Sequence, residues 1–287
     1  MGNCLITKLK ATVNNPDLPV IEIMQQLTLD AITRGGNMPM TEAQKYALNH
    51  FFYEIGAIEN NSLWAKVRTL MLPLIGNGLN YVVQDYRHEG AAAATTSIKD
   101  QVGALSTTSS QVRNNFNSSK PLVTLNVKNR AMIIACTKTS TFSGSTGIGF
   151  SSVNSNNDRL ETTISTLATS TLGSQLLYVP NGGSEVAANK RFESGVTSIV
   201  IELTNVTSDG ITAKGILSDG TTVSTTNTAY GNFSNIISNV EESYYKLIAV
   251  QKDLGILIDF NSALTNDEQT IVLNAVKDLR ASFLTND

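Results

Sequence analysis

The sequence predicts a mainly β fold: an antiparallel β-sandwich or jelly roll, with an N-terminal helical hairpin and a C-terminal helix. Two observations carry this. Residues 79–262 interleave Ser, Thr, Asn and Gly with short Val/Ile/Leu runs of two-residue period, the signature of half-buried strands. Asp209-Gly210 and Asp219-Gly220 are hairpin dipeptides at meander spacing. Helical patterns do not alternate with the strands, which argues against a doubly wound parallel sheet.

In chain order, residues 1–30 read as an extended arm. Thr7 to Val13 alternates polar and apolar, and Asn14-Asn15-Pro16-Asp17 is turn chemistry. Residues 41–56 predict a helix with Thr41 as N-cap, Gln44 closing a capping box, and Gly56 ending it. Its apolar stripe is Ala43, Ala47, Phe51 and Ile55, widened by Leu48 and Phe52. A second helix is expected from Ser62 to Pro73, with Leu63, Val67, Leu70 and Met71 sharing a face beside Trp64. The two would pack as an antiparallel hairpin. Residues 1–78 therefore form the arm and hairpin, and residues 79–287 the sandwich with its closing helix.

Within the sandwich, strands are expected at 122–127, 160–168, 199–203 and 254–260. Residues 131–136 are apolar on both faces, as in a central strand. Asn181-Gly182-Gly183 and Ser143-Gly144-Ser145 are further turn signals. The closing helix opens with Thr265 as N-cap and Glu268 as its capping-box partner. Its stripe is Ile271, Val272, Ala275, Val276, Leu279 and Phe283.

Composition narrows the function classes. With 287 residues the chain can bury a core without staples. A net charge of -3 with 16% charged residues argues against a nucleic-acid partner. The apolar window from Leu63 to Ile75 contains Lys66 and Arg68 and is too short to span a bilayer. No signal peptide is read at the amino terminus. Cys136 lies in an apolar run and Cys4 near a terminus, so the pair leaves the redox compartment open.

Catalytic patterns are absent from the sequence, and no catalytic residue, metal ligand or cofactor is assigned. No strand carries the spaced carboxylates of a glycosidase. Glu241 and Glu242 are adjacent, and Glu161, Glu193 and Glu202 stand singly on expected solvent faces. His50 and His88 are the only histidines; Asp85 to Glu89, around His88, reads as a solvated loop. Ser155-Asn156-Asn157-Asp158 and Ser208-Asp209-Gly210 could offer oxygens to calcium, but turn formation explains both. The candidate for a sugar is Tyr230-Gly231-Asn232-Phe233, with Tyr230 and Phe233 as stacking rings and Asn232 as an amide partner. Thr141-Phe142-Ser143-Gly144 ranks second.

Three segments together carry a family resemblance. Leu63-Trp64-Ala65-Lys66-Val67 followed by Pro73 and Gly76 resembles a "W-x-K … P … G" helix. Ile256-Leu257-Ile258 followed by Leu264-Thr265-Asn266-Asp267-Glu268 is similar to an "L-T-x-x-E" ending. Cys4 to Lys10 with Val13-Asn14-Asn15 looks like the third, a leader segment. Together they resemble phage and prophage structural proteins with a laminin-G-like, concanavalin A-type (lectin/glucanase) jelly roll. The chain departs from that pattern in having Asn77 ahead of Gly78, and Ala131 to Cys136 where a Tyr-rich strand is usual. The resemblance implies a non-enzymatic virion or tail-associated protein, present in bacterial cytoplasm before assembly. Its implied partners are copies of itself, other virion proteins and host-surface glycans. The rival classes are a glycoside hydrolase on the same scaffold and a bacterial carbohydrate-binding module.

Overall fold

The computed structural model describes residues 25–34, 39–57, 62–75, 81–82, 95–99, 102–115, 123–126, 129–137, 147–154, 156–167, 171–184, 186–191, 199–225 and 236–284. Helices α1 (Gln26–Arg34) and α2 (Glu42–Glu54) come first, then a 3-10 turn, Trp64–Lys66. Strands β1 (Val67–Met71), β2 (Tyr81–Val82), β3 (Thr95–Lys99), β4 (Val102–Asn115) and β5 (Val123–Asn126) follow. Next are β6 (Arg130–Cys136), β7 (Gly147–Asn154), β8 (Arg159–Leu167), β9 (Thr171–Val179) and β10 (Val186–Arg191). The chain continues through β11 (Ile199–Thr207), β12 (Gly210–Leu217), β13 (Thr222–Ser224) and β14 (Ile236–Phe260), and ends in α3 (Asn266–Phe283).

The fold is mainly β, and its described ladders are antiparallel. Two meanders, β7-β8-β9-β10 and β11-β12-β13, match the turn spacing. The spine is β14, whose 25 residues exceed the usual strand length of about 3–10. It keeps its ladders by shifting register at bulges between Val250 and Leu254 and between Leu254 and Ile256. One edge of β14 takes β5, β4 and β1 in succession; the other takes β7 and then β6. Val240 pairs with both Val123 and Asn154, and Ile258 with both Leu70 and Ile133.

The last seven residues of β14 lie in a six-stranded layer, β1-β14-β6-β11-β12-β13. Residues directly opposite share a face. Leu70, Ile258, Ile133 and Leu203 thus form one row, and Ile256, Ala135, Ile201 and Ile216 another. These belong to one buried cluster with Leu48, Phe51 and Phe52 of α2 and with Val272, Val276, Leu279 and Phe283 of α3. The helices therefore cover this face. Each Leu, Ile or Phe buried here contributes about 1.5–3 kcal/mol relative to exposure.

Helix α2 forms as its sequence predicts. Thr41 and Gln44 make the reciprocal capping box, and Gly56 adopts φ 75°. The Gly56 amide donates to the Tyr53 carbonyl at 3.0 Å and the Ala57 amide to Phe52 at 2.9 Å, closing a Schellman end. The stripe is rotated from the expected one: Ala43 is exposed, while Leu48, Phe51, Phe52 and Ile55 are buried. The predicted strand at 131–136 is indeed central, with β14 on one side and β11 on the other.

The N-terminal helical hairpin is not formed. Trp64–Lys66 is a single 3-10 turn and Val67–Met71 is a strand, paired Val67↔Phe260, Leu70↔Ile258 and Met71↔Leu257. Val67, Leu70 and Met71, with Arg68 and Thr69 between them, make too short a pattern to fix the period, and the long-range ladder with β14 decides it. Residues 26–30, expected within the extended arm of residues 1–30, are helical and belong to α1. α1 is tied to α2 by the Thr28 hydroxyl donating to Asn49 Oδ1 at 2.8 Å and Gln25 Nε2 donating to the Tyr53 hydroxyl at 2.7 Å. Residues 1–24 of the expected arm lie outside the described residues.

Candidate functional site

Tyr230, Asn232 and Phe233 lie outside the described residues, as do Phe142, His88 and Cys4. Two other polar constellations stand out among the described residues: one joins the turn before β1 to the start of α3, and one is buried in the sheet.

The first gathers two of the resemblance motifs. Lys66 Nζ donates to Glu268 Oε2 at 2.6 Å and to the Ala263 carbonyl at 3.4 Å, across about two hundred positions of sequence. Glu268 Oε2 also accepts the Thr265 amide at 2.7 Å, and Thr265 Oγ1 accepts the Glu268 amide at 3.2 Å. One carboxylate thus serves as ion-pair partner and helix cap. Burial raises the Glu268 pKa, but the Lys66 hydrogen bond, the Thr265 amide and the Lys66 charge outweigh it, holding the carboxyl below its ordinary value.

Around this pair the backbone is pinned. The Leu264 amide donates to Asn205 Oδ1 at 2.8 Å, and the Leu264 carbonyl accepts from Asn205 Nδ2 at 3.1 Å and Gln269 Nε2 at 3.0 Å. The Ala263 amide donates to Asn129 Oδ1 at 2.7 Å and the Asn261 amide to the Lys66 carbonyl at 2.8 Å. Trp64 packs edge-on against Phe52, ring centroids 6.3 Å apart. At the other end of α3, Arg280 Nε donates to the Cys136 carbonyl at 2.6 Å. This arrangement is a clasp that closes α3 onto the sheet.

The second constellation lies on the sheet face turned away from the helices. Arg130 and Glu202 are 2% exposed, and Thr204 and Asp259 0%. Arg130 Nη2 stands 3.9 Å from Asp259 Oδ1. Asp259 and Thr204 flank Met132 of β6, while Glu202 sits opposite Ile134 in the next row of the same face. Glu202 was expected on a solvent face, and its burial corrects that expectation. Local sequence carried only half of the signal, because the strands that flank β6 are chosen by long-range pairing. A strand apolar on both faces has covered neighbours on both faces, so polar residues of the strands flanking β6 must be buried too.

Glu202 and Asp259 are the buried carboxylates among the described residues. They lie two strands and one row apart, about 12 Å between backbones from standard sheet spacings. Both are closed off from solvent.

Asn154 and residues 156–158 form a turn, as expected for the Ser155-Asn156-Asn157-Asp158 segment. Asn154 Oδ1 accepts the Asn156 and Asp158 amides at 3.0 and 2.9 Å, and Asn157 takes φ 63°. Asp158 Oδ1 accepts the Asn181 amide at 2.9 Å, tying the β7–β8 turn to the β9–β10 turn. His50 is exposed and lies 3.4 Å from Glu54. Among the described residues no three His, Cys, Asp or Glu side chains gather as for a metal, and no helix is long and apolar enough to cross a membrane.

No protein-family model matches the sequence, and no curated protein does. Solved structures with similarity include HCR/D-Sa-GBL1/C, at 13% identity and TM-score 0.42, over 76% of this chain and 53% of that one. The enzymatically active domain of bacteriophage CBA120 tailspike protein 2 is similar at 10% identity and TM-score 0.37, over 64% and 29%. The CBM2 module of the evolved Dit of Lactobacillus casei BL23 phage J-1 is similar at 11% identity and TM-score 0.28, over 60% and 81%. The chain spans about half the length of the first of these. Structural neighbours thus include phage proteins and a carbohydrate-binding module, at a level of likeness that assigns no role to any residue here.

Proposed function

We propose that this chain is a non-enzymatic phage or prophage protein, built into the virion or its tail and contacting host-surface glycans. Its sheets form an antiparallel sandwich of the concanavalin A-like, laminin-G-like jelly-roll type. The observation that carries the reading is the clasp. The Trp64-Ala65-Lys66 and Leu264-Thr265…Glu268 segments, which hold the family resemblance, meet through the 2.6 Å contact between Lys66 and Glu268. Their polar atoms are turned on each other and on backbone groups, a use that suits a scaffold. The buried Arg130–Asp259 pair likewise joins β6 to β14. Adhesion in such a protein comes from weak contacts multiplied by the valency of an oligomer.

A glycan array and light scattering on one sample test the proposal. The expected result is a stable oligomer that retains glycans. A reducing-end assay releasing sugar from a retained glycan would overturn the non-enzymatic reading. A monomer that retains glycans would point to a free carbohydrate-binding module, and an oligomer that retains none would remove the glycan contact.

A further inference from the structure

We draw no further inference here: the strongest candidate, the mixed-charge cluster of Arg130, Glu202, Thr204 and Asp259 on the sheet face turned away from the helices, belongs to the site already described, and nothing among the described residues shows a ligand or an opening that reaches it.

Discussion

At the scale of single residues, Glu268 is the most consequential polar group of the clasp. Its carboxyl is held below its ordinary value, so the folded protein takes up its proton at lower pH than the unfolded chain does. The stability it contributes is fully present above the unfolded value of about 4.3 and is lost as pH falls through the folded value. Urea midpoints measured from pH 7 down to pH 3 should therefore fall less steeply for Glu268→Gln than for the natural protein. At pH 7 the substitution should cost about 1–2 kcal/mol, the range for a helix cap and a charge-assisted bond. Parallel pH profiles for the two proteins would contradict this.

The Arg130–Asp259 pair follows different arithmetic. Removing one member leaves the other charge buried, whereas replacing both with apolar side chains of similar size removes the desolvation cost as well. Asp259→Leu alone should cost about 3–5 kcal/mol, and Arg130→Met with Asp259→Leu much less. Chemical denaturation of the three proteins measures the difference. A double variant as unstable as the single one would contradict this. Gly255 is limited by space: a Cβ there would meet Thr137 Cγ2 at 2.9 Å and Leu74 Cδ1 at 3.5 Å. Gly255→Ala should lose about 1–3 kcal/mol through overpacking at the β14 bulge.

Among the elements, α3 and β1 carry the contrast between local and long-range determination. Helix α3 announces itself through Thr265, Glu268 and an apolar stripe, and Val272, Ala275, Val276, Leu279 and Phe283 of that stripe are buried; only Ile271 stands exposed. Strand β1 does not announce itself, because Leu63, Val67, Leu70 and Met71 fit a helical face as well as they fit a ladder. Its place is set by Phe260, Ile258 and Leu257, nearly two hundred positions away. Two measurements follow. Amides of Val67–Met71 should exchange with solvent water at the same slow rate as those of Ile256–Phe260, since they share one ladder. Ending the chain at Leu264 should uncover the helix-facing side of the sheet, seen as dye binding and loss of a cooperative transition. Fast exchange at β1, or a truncated chain that unfolds as sharply as the intact one, would contradict the arrangement.

For the whole molecule, the strands and turns with local signals were legible. Residues 131–136, 160–167 and 199–203 are strands, and Asp209-Gly210, Asp219-Gly220 and Asn181-Gly182 are hairpin turns, with Gly182 and Gly220 at positive φ. Such features depend on neighbours within a few residues: alternation, caps and left-handed turn positions. The sequence by itself determined a mainly β chain, a capped helix within residues 41–56 and a closing helix capped by Thr265. Tertiary structure alone decided that residues 67–71 are a strand, that β14 runs through two sets of partners, and that Glu202 and Asp259 are buried. It also brought Lys66 to Glu268, which share no local signal. Pairing across long stretches of chain selects among conformations that local propensity leaves nearly equal, and a polar side chain is buried or exposed according to what the rest of the chain lays over it.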